Sequence, residues 1–168
     1  EVQAGKLRPW HTAAQCIDWN IPGKDIYRRQ TPLAEKTMAR IETGLKKFPG
    51  AFFVKYYGNE RGGISIDQQL HTITSKDRMG LVERQGNNIT LRMLSTRELY
   101  RAQGFPDEYI IEDMPDGKKL SKSKQVRMCG NSVPPILVCE LVRANGPNTW
   151  IEKPRPRLPL VEMARASA

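Results

Sequence analysis

The sequence predicts a small α+β lobe in which a β-ribbon is followed by short, sharply punctuated helices. Three observations carry that expectation. The run AFFVKYY at 51–57 is aromatic and β-branched, as strands are. GLVER at 80–84 and NITLRML at 88–94 flank the turn pair Gly86-Asn87, which reads as a hairpin. After residue 94, two helical segments start and stop at recognisable capping residues. At 168 residues and 39% hydrophobic content the chain has material for roughly one domain, while 12 Pro and 13 Gly send much of the path through turns.

Residues 1–30 mix single apolar residues with turn formers (Asn20, Pro22, Gly23), so an irregular path is expected. A helix is predicted over 32–47, with Thr31 as N-cap, Pro32 in its first position, and Leu33, Met38, Ile41 and Leu45 on one face. Lys46 and Lys47 complement its negative end, and Pro49-Gly50 stops it. Between the strands lies GNERGGISIDQQLHTITSKDRMG, residues 58–80. It reads either as an ordinary surface loop or as a flexible binding loop. In the second reading Arg61, Lys76 and Arg78 meet phosphates, while Thr72, Thr74 and the glycines let backbone approach a ligand.

Ser95 with Glu98 three residues on forms a capping box, the helix continues through Leu99 and Ala102, and Gly104 follows its end. In residues 122–146, Gly130 is expected to end a basic helix. Ser132 would cap the next one, Pro134 and Pro135 would fill its first turn, and Ile136, Leu137, Leu141 and Val142 would supply a core face. The turn between them would then present backbone amides and the Asn131 side chain at a helix N-terminus, a ligand-sized niche.

Lys plus Arg is 27 against 18 Asp plus Glu, a formal charge of +9, which favours a polyanionic partner. Cys16, Cys129 and Cys139 are too widely spaced for a disulfide framework or a metal knuckle, so a reducing cytoplasm is the expected compartment. His11 and His71 lie far apart in sequence without carboxylate or cysteine spacing, and no metal is expected. No apolar run reaches the ~18 residues of a membrane span.

RMLSTRELYRAQGFPDEY at 92–109 resembles the ninth conserved motif of the DNA cytosine-5 methyltransferases, and GNSVPP at 130–135 resembles their tenth. QQLHTITSKDRMGLV at 68–82 is similar to the segment preceding the ninth motif in bacterial and phage members, which carries the expectation of a restriction-modification setting. The order and separation of the blocks also match, over roughly residues 51–146. Ser95 stands where Thr is commoner and keeps the cap, and Ala102 stands where a larger apolar residue is usual.

The resemblance implies an α/β parent, the S-adenosylmethionine-dependent methyltransferase fold. Within it, residues 1–94 would be a target-recognition region with a short β-ribbon. Residues 95–146 would be helices returning to dock on the doubly wound catalytic sheet, and 147–168 a Pro- and Arg-bearing tail. It also implies chemistry: a cytosine is flipped from the duplex, attacked by a Pro-Cys thiolate, held by a Glu-Asn-Val motif, and methylated from S-adenosylmethionine on a Gly-rich loop. In this sequence no cysteine follows a proline, and neither Glu-Asn-Val nor a Gly-rich cofactor loop occurs.

The chain is therefore expected to be the C-terminal segment of such an enzyme, with no catalytic residue of its own, working with an N-terminal catalytic segment or subunit. The tenth-motif likeness implies Asn131, Ser132 and Val133 as contacts to S-adenosylmethionine. The ninth-motif likeness implies that Arg97, Glu98, Arg101, Gln103 and Gly104 brace the recognition region, although Arg97 and Arg101 lie on one helix face where they would also suit phosphate. Arg61, Lys76, Arg78 and Arg84 are the expected contacts to double-stranded DNA. A noncatalytic DNA-binding module derived from the family is the alternative, and an RNA-directed member a third.

Overall fold

A computed structural model describes residues 11–58, 61–114 and 116–146, so the expected tail at 147–168 lies outside the described residues. The described chain forms two compact units. One holds residues 11–73 and 77–94; the other holds 74–76 and 95–146.

The first unit is built on a five-stranded antiparallel sheet: β1 (Lys24–Asp25), β2 (Phe52–Lys55), β3 (Ile64–Ser65), β4 (Met79–Gln85) and β5 (Asn88–Met93), in the order β1-β5-β4-β2-β3. The β4-β5 hairpin closes with Gln85 opposite Asn88, leaving Gly86-Asn87 as a two-residue turn. Gly86 takes φ +61°, the left-handed value such turns need at their first position. The ribbon is thus one part of a wider sheet, because β2 adds to it with Phe52 opposite Val82 and Phe53 opposite Leu81. Phe52, Phe53, Leu81 and Val82 are fully buried, so the middle strands are covered on both faces. The edge strands β1 and β3 are two residues each, too short for an alternating pattern, and β1 lies inside the stretch expected to be irregular.

Helix α1 runs Glu35–Lys47, not from Pro32, and its N-cap is Ala34 with no side-chain cap bond. The expected Thr31 cap is not used: the helix begins after Ala34, and Leu33 ahead of it packs on the core. Ile41 is fully buried in the cluster that also holds Ile26, Phe52, Val54 and Leu91, with Met38 and Leu45 packed against it. Gly44 faces the Phe52 ring so closely that an added Cβ would overlap Phe52 Cε2. The helix needs glycine there to lie down on the sheet.

In the second unit, α2 spans Thr96–Ala102. Ser95 caps it with Oγ accepting from the Glu98 amide at 3.3 Å, and Glu98 Oε2 accepts from the Ser95 amide at 2.6 Å. Gly104 follows with φ +85°. Helix α3 runs Lys122–Asn131, passing through Gly130 where the sequence reading ends it. Gly130 serves a close approach: a Cβ there would overlap the Thr74 carbonyl group and come within 2.5 Å of the Ser75 nitrogen.

Helix α4 spans Pro135–Asn145 with Pro134, not Ser132, as N-cap. Ser132 is the C-cap of α3 instead. The apolar face of α4 is not part of a core among the described residues, in keeping with a helix expected to dock on a sheet supplied elsewhere. Ile136, Leu137, Leu141 and Val142 are 44–54% exposed, and no residue of the helix is buried. The spacing of those residues makes an apolar stripe, but burial needs an opposing surface, and none among the described residues covers it.

Candidate functional site

The first unit carries an open cleft of about 650 Å³ lined by His11, Thr12, Lys55, Tyr57 and residues 67–72. Three segments distant in sequence meet there. The amides of Ala13 and Ala14, in a 3-10 turn, donate to the carbonyls of Gln68 and Ile66 at 2.7 and 2.9 Å, pinning the turn to the loop. This brings His11 and His71, 60 positions apart, to the lining of one cleft. Lys55 projects from the end of β2 with Nζ 3.3 Å from His71 Nδ1 and 4.8 Å from the centre of the Tyr57 ring. The Tyr57 hydroxyl donates to the Thr72 carbonyl at 2.6 Å. Burial pushes its phenol above the ordinary value. Its neighbour Tyr56 packs against the core cluster.

Sequence reasoning left 58–80 open between an ordinary surface loop and a binding loop, and it did not connect the loop with Lys55, which reads as a strand residue, or with His71, which reads as an isolated histidine. The available signal was the QQLHT stretch itself, whose polar side chains turn out to line the cleft. Among the described residues no group of three His, Cys, Asp or Glu is placed to hold a metal ion.

The four residues expected to meet DNA are divided between the two units. Arg61 and Arg84 are exposed in the first unit, and Lys76 is exposed but belongs to the second. Arg78 is half-buried, with Nη1 donating to the Tyr56 carbonyl at 3.0 Å, so part of its donor capacity holds the backbone beside β4.

The ninth-motif residues have their contacts inside the second unit. Arg97 Nη1 donates to the Tyr109 carbonyl at 2.8 Å, and Arg101 forms a two-point pair with Asp107 at 2.6 and 3.1 Å. Both guanidinium groups are thereby drawn toward protein partners. Gln103 Nε2 donates to the Cys129 carbonyl at 3.3 Å, linking α2 to α3.

That same carbonyl governs the tenth-motif turn. The Ser132 amide and hydroxyl both donate to Cys129 O, at 3.1 and 2.7 Å. The turn is therefore not the expected cluster of amides at a helix N-terminus, and Pro134 and Pro135 bring no N–H to it. Asn131 and Val133 are exposed on either side of Ser132. Cys129 is fully buried in its α3 position, and burial pushes its thiol up to about 12, which makes it an inert packing residue.

No helix among the described residues is long and apolar enough to cross a membrane. No curated protein and no solved structure matches the chain. The family model for C-5 cytosine-specific DNA methylase matches residues 12–145, a span that takes in the sheet, the cleft apart from His11, the capped α2 and the α3–α4 turn. The chain belongs to the C-5 cytosine-specific DNA methylase family.

Proposed function

We propose that this chain is the target-recognition and closing segment of a DNA cytosine-5 methyltransferase, dependent on a separate catalytic segment for methyl transfer. The observation that carries this reading is α4. Val133, Ile136, Leu137, Val138, Leu141 and Val142 stand 42–56% exposed on and just before a short helix of a family whose chemistry needs a catalytic sheet. Leaving that much apolar surface in water is costly, at roughly 25 cal/mol per Å², and a partner sheet would recover it. The absence from this sequence of a Pro-Cys nucleophile and a Glu-Asn-Val motif supports the same division of labour.

S-adenosylmethionine fits the α3–α4 turn in a restricted way. Asn131 offers an exposed carboxamide and Val133 an exposed apolar side chain. Ser132 has spent its donors on Cys129 O, so it retains only acceptor capacity, suited to the methionyl ammonium and not to the carboxylate. When bound, the cofactor supplies the methyl group; these residues would border it while the catalytic sheet holds it. Arg61, Arg84 and Lys76, with Arg78 as a braced neighbour, would meet DNA phosphates.

The test is labelled S-adenosylmethionine incubated with the chain and mixed-sequence duplex DNA. No labelled cytosine is expected, and incorporation above a protein-free control would overturn the division. Alongside it, the chain should bind a hydrophobic dye or self-associate through α4. A dye-negative monomer would remove the case for docking.

A further inference from the structure

The cleft in the first unit has a chemistry of its own. Lys55 has its ammonium between an imidazole and an aromatic face, and among the described residues no carboxylate pairs with it. The one acid in the lining, Asp67, contacts Ser65 two positions before it, Ser65 Oγ donating to its carboxylate at 3.4 Å and accepting from its amide at 3.1 Å, and it makes no ion pair with Lys55. With Nδ1 of His71 facing the Lys55 ammonium at 3.3 Å, that nitrogen accepts and Nε2 carries the ring proton, available to donate. The Tyr57 ring already has the ammonium over it and its hydroxyl tied to Thr72, so it is fixed as a wall and is not free to sandwich a base. A volume of about 650 Å³ suits a nucleotide-sized group.

We propose that this cleft holds one phosphate of the DNA backbone, gripped by Lys55 Nζ and the His71 imidazole, with Tyr57 packing against the adjoining deoxyribose. A cationic donor, an imidazole N–H and an aromatic wall match a phosphodiester and its sugar, and the exposed amides of Gln68 and Gln69 in the same lining would lie toward the neighbouring nucleotide. The inference rests on the reading of the chain as a DNA-recognition segment and adds to it an anchoring point that the basic loop residues do not supply.

The experiment is a salt titration of binding to a labelled mixed-sequence duplex, using the whole chain as wild type, Lys55→Ala, Lys55→Gln, Lys55→Arg, His71→Ala, Arg61→Ala and Arg84→Ala. Urea midpoints show that each variant is folded, and Lys55→Gln keeps the strand packing should Lys55→Ala unfold. Loss of Lys55's charge should weaken binding roughly five- to tenfold and lower the slope of log K against log salt by about 1. Lys55→Arg should retain the slope, and His71→Ala should weaken binding a few-fold with the slope unchanged, as befits a neutral donor. If Lys55→Ala and Lys55→Gln bind as wild type while Arg61→Ala or Arg84→Ala lowers the slope, DNA recognition stands and the cleft proposal falls. If the wild type does not bind duplex at all, both fall.

Discussion

The sheet of the first unit and helix α4 of the second treat their apolar residues in opposite ways. In the sheet unit, Phe52, Phe53, Leu81 and Val82 are completely buried and α1 lies on the same core through Ile41. In the helical unit, α4 is equally rich in branched apolar residues and buries none of them. The difference shows that apolar patterning states a demand for burial without saying where it is met. The sheet unit meets it within the chain; α4 finds no covering surface among the described residues.

A pair of truncations gives the sharpest contrast. Phe52→Ala should cost about 3–5 kcal/mol, since a filled position between α1 and the sheet becomes a cavity. Leu141→Ala, half-exposed on α4, should cost under about 0.5 kcal/mol. Urea midpoints measure both. A large loss at Leu141 would mean that α4 is packed in solution and would break the contrast.

Next in size is Gly130→Ala. The added methyl would meet the Thr74 carbonyl and Ser75 amide, which are backbone and cannot rotate away as a side chain would. A loss of about 1–3 kcal/mol is expected in the same assay. Gly86→Ala offers no contact to relieve or to cause, so any cost there comes from its φ of +61° alone.

The buried thiol gives a pH test. With Cys129 raised from 9.0 to about 12, the folded state keeps its proton where the unfolded thiol gives it up. Below pH 8 this contributes no pH dependence. Above pH 9 the unfolded state binds fewer protons, so stability falls as pH rises, by up to about 1.4 kcal/mol per unit. The loss between pH 8 and pH 10 should be smaller in Cys129→Ala than in the wild type. Equal losses would show that the thiol is reachable by water.

Legibility followed the same division between local and distant signals. The β4-β5 turn and the Ser95–Glu98 cap are decided by residues within three positions of one another, and both stand where the sequence places them. The start of α1 and the path of α3 through Gly130 were misread because each depends on a contact distant in sequence, Leu33 with the core and Gly130 with Thr74; Ser132 was misread in consequence, since a helix that runs on past Gly130 makes it the C-cap of α3. The cleft was least legible of all. His11, Lys55 and His71 meet only because the sheet closes and the 3-10 turn bonds to the loop, and no sequence period marks such a meeting.

The smallest expected effect separates the two serines that sequence reasoning treated alike as helix caps. Ser95→Ala removes the acceptor for the Glu98 amide at the start of α2 and leaves Glu98, fully buried, with half of a reciprocal pair. A loss of about 1 kcal/mol is the usual result for such a cap. Ser132→Ala removes one donor to Cys129 O, but that carbonyl still accepts from the Ser132 amide and from Gln103 Nε2. No buried group is then orphaned, and the loss should be a fraction of that at Ser95, roughly half a kcal/mol or less. Thermal unfolding of the two variants decides the order. A Ser132 variant as damaged as the Ser95 variant would mean that its hydroxyl also supports α4, restoring the capping role that the geometry denies it.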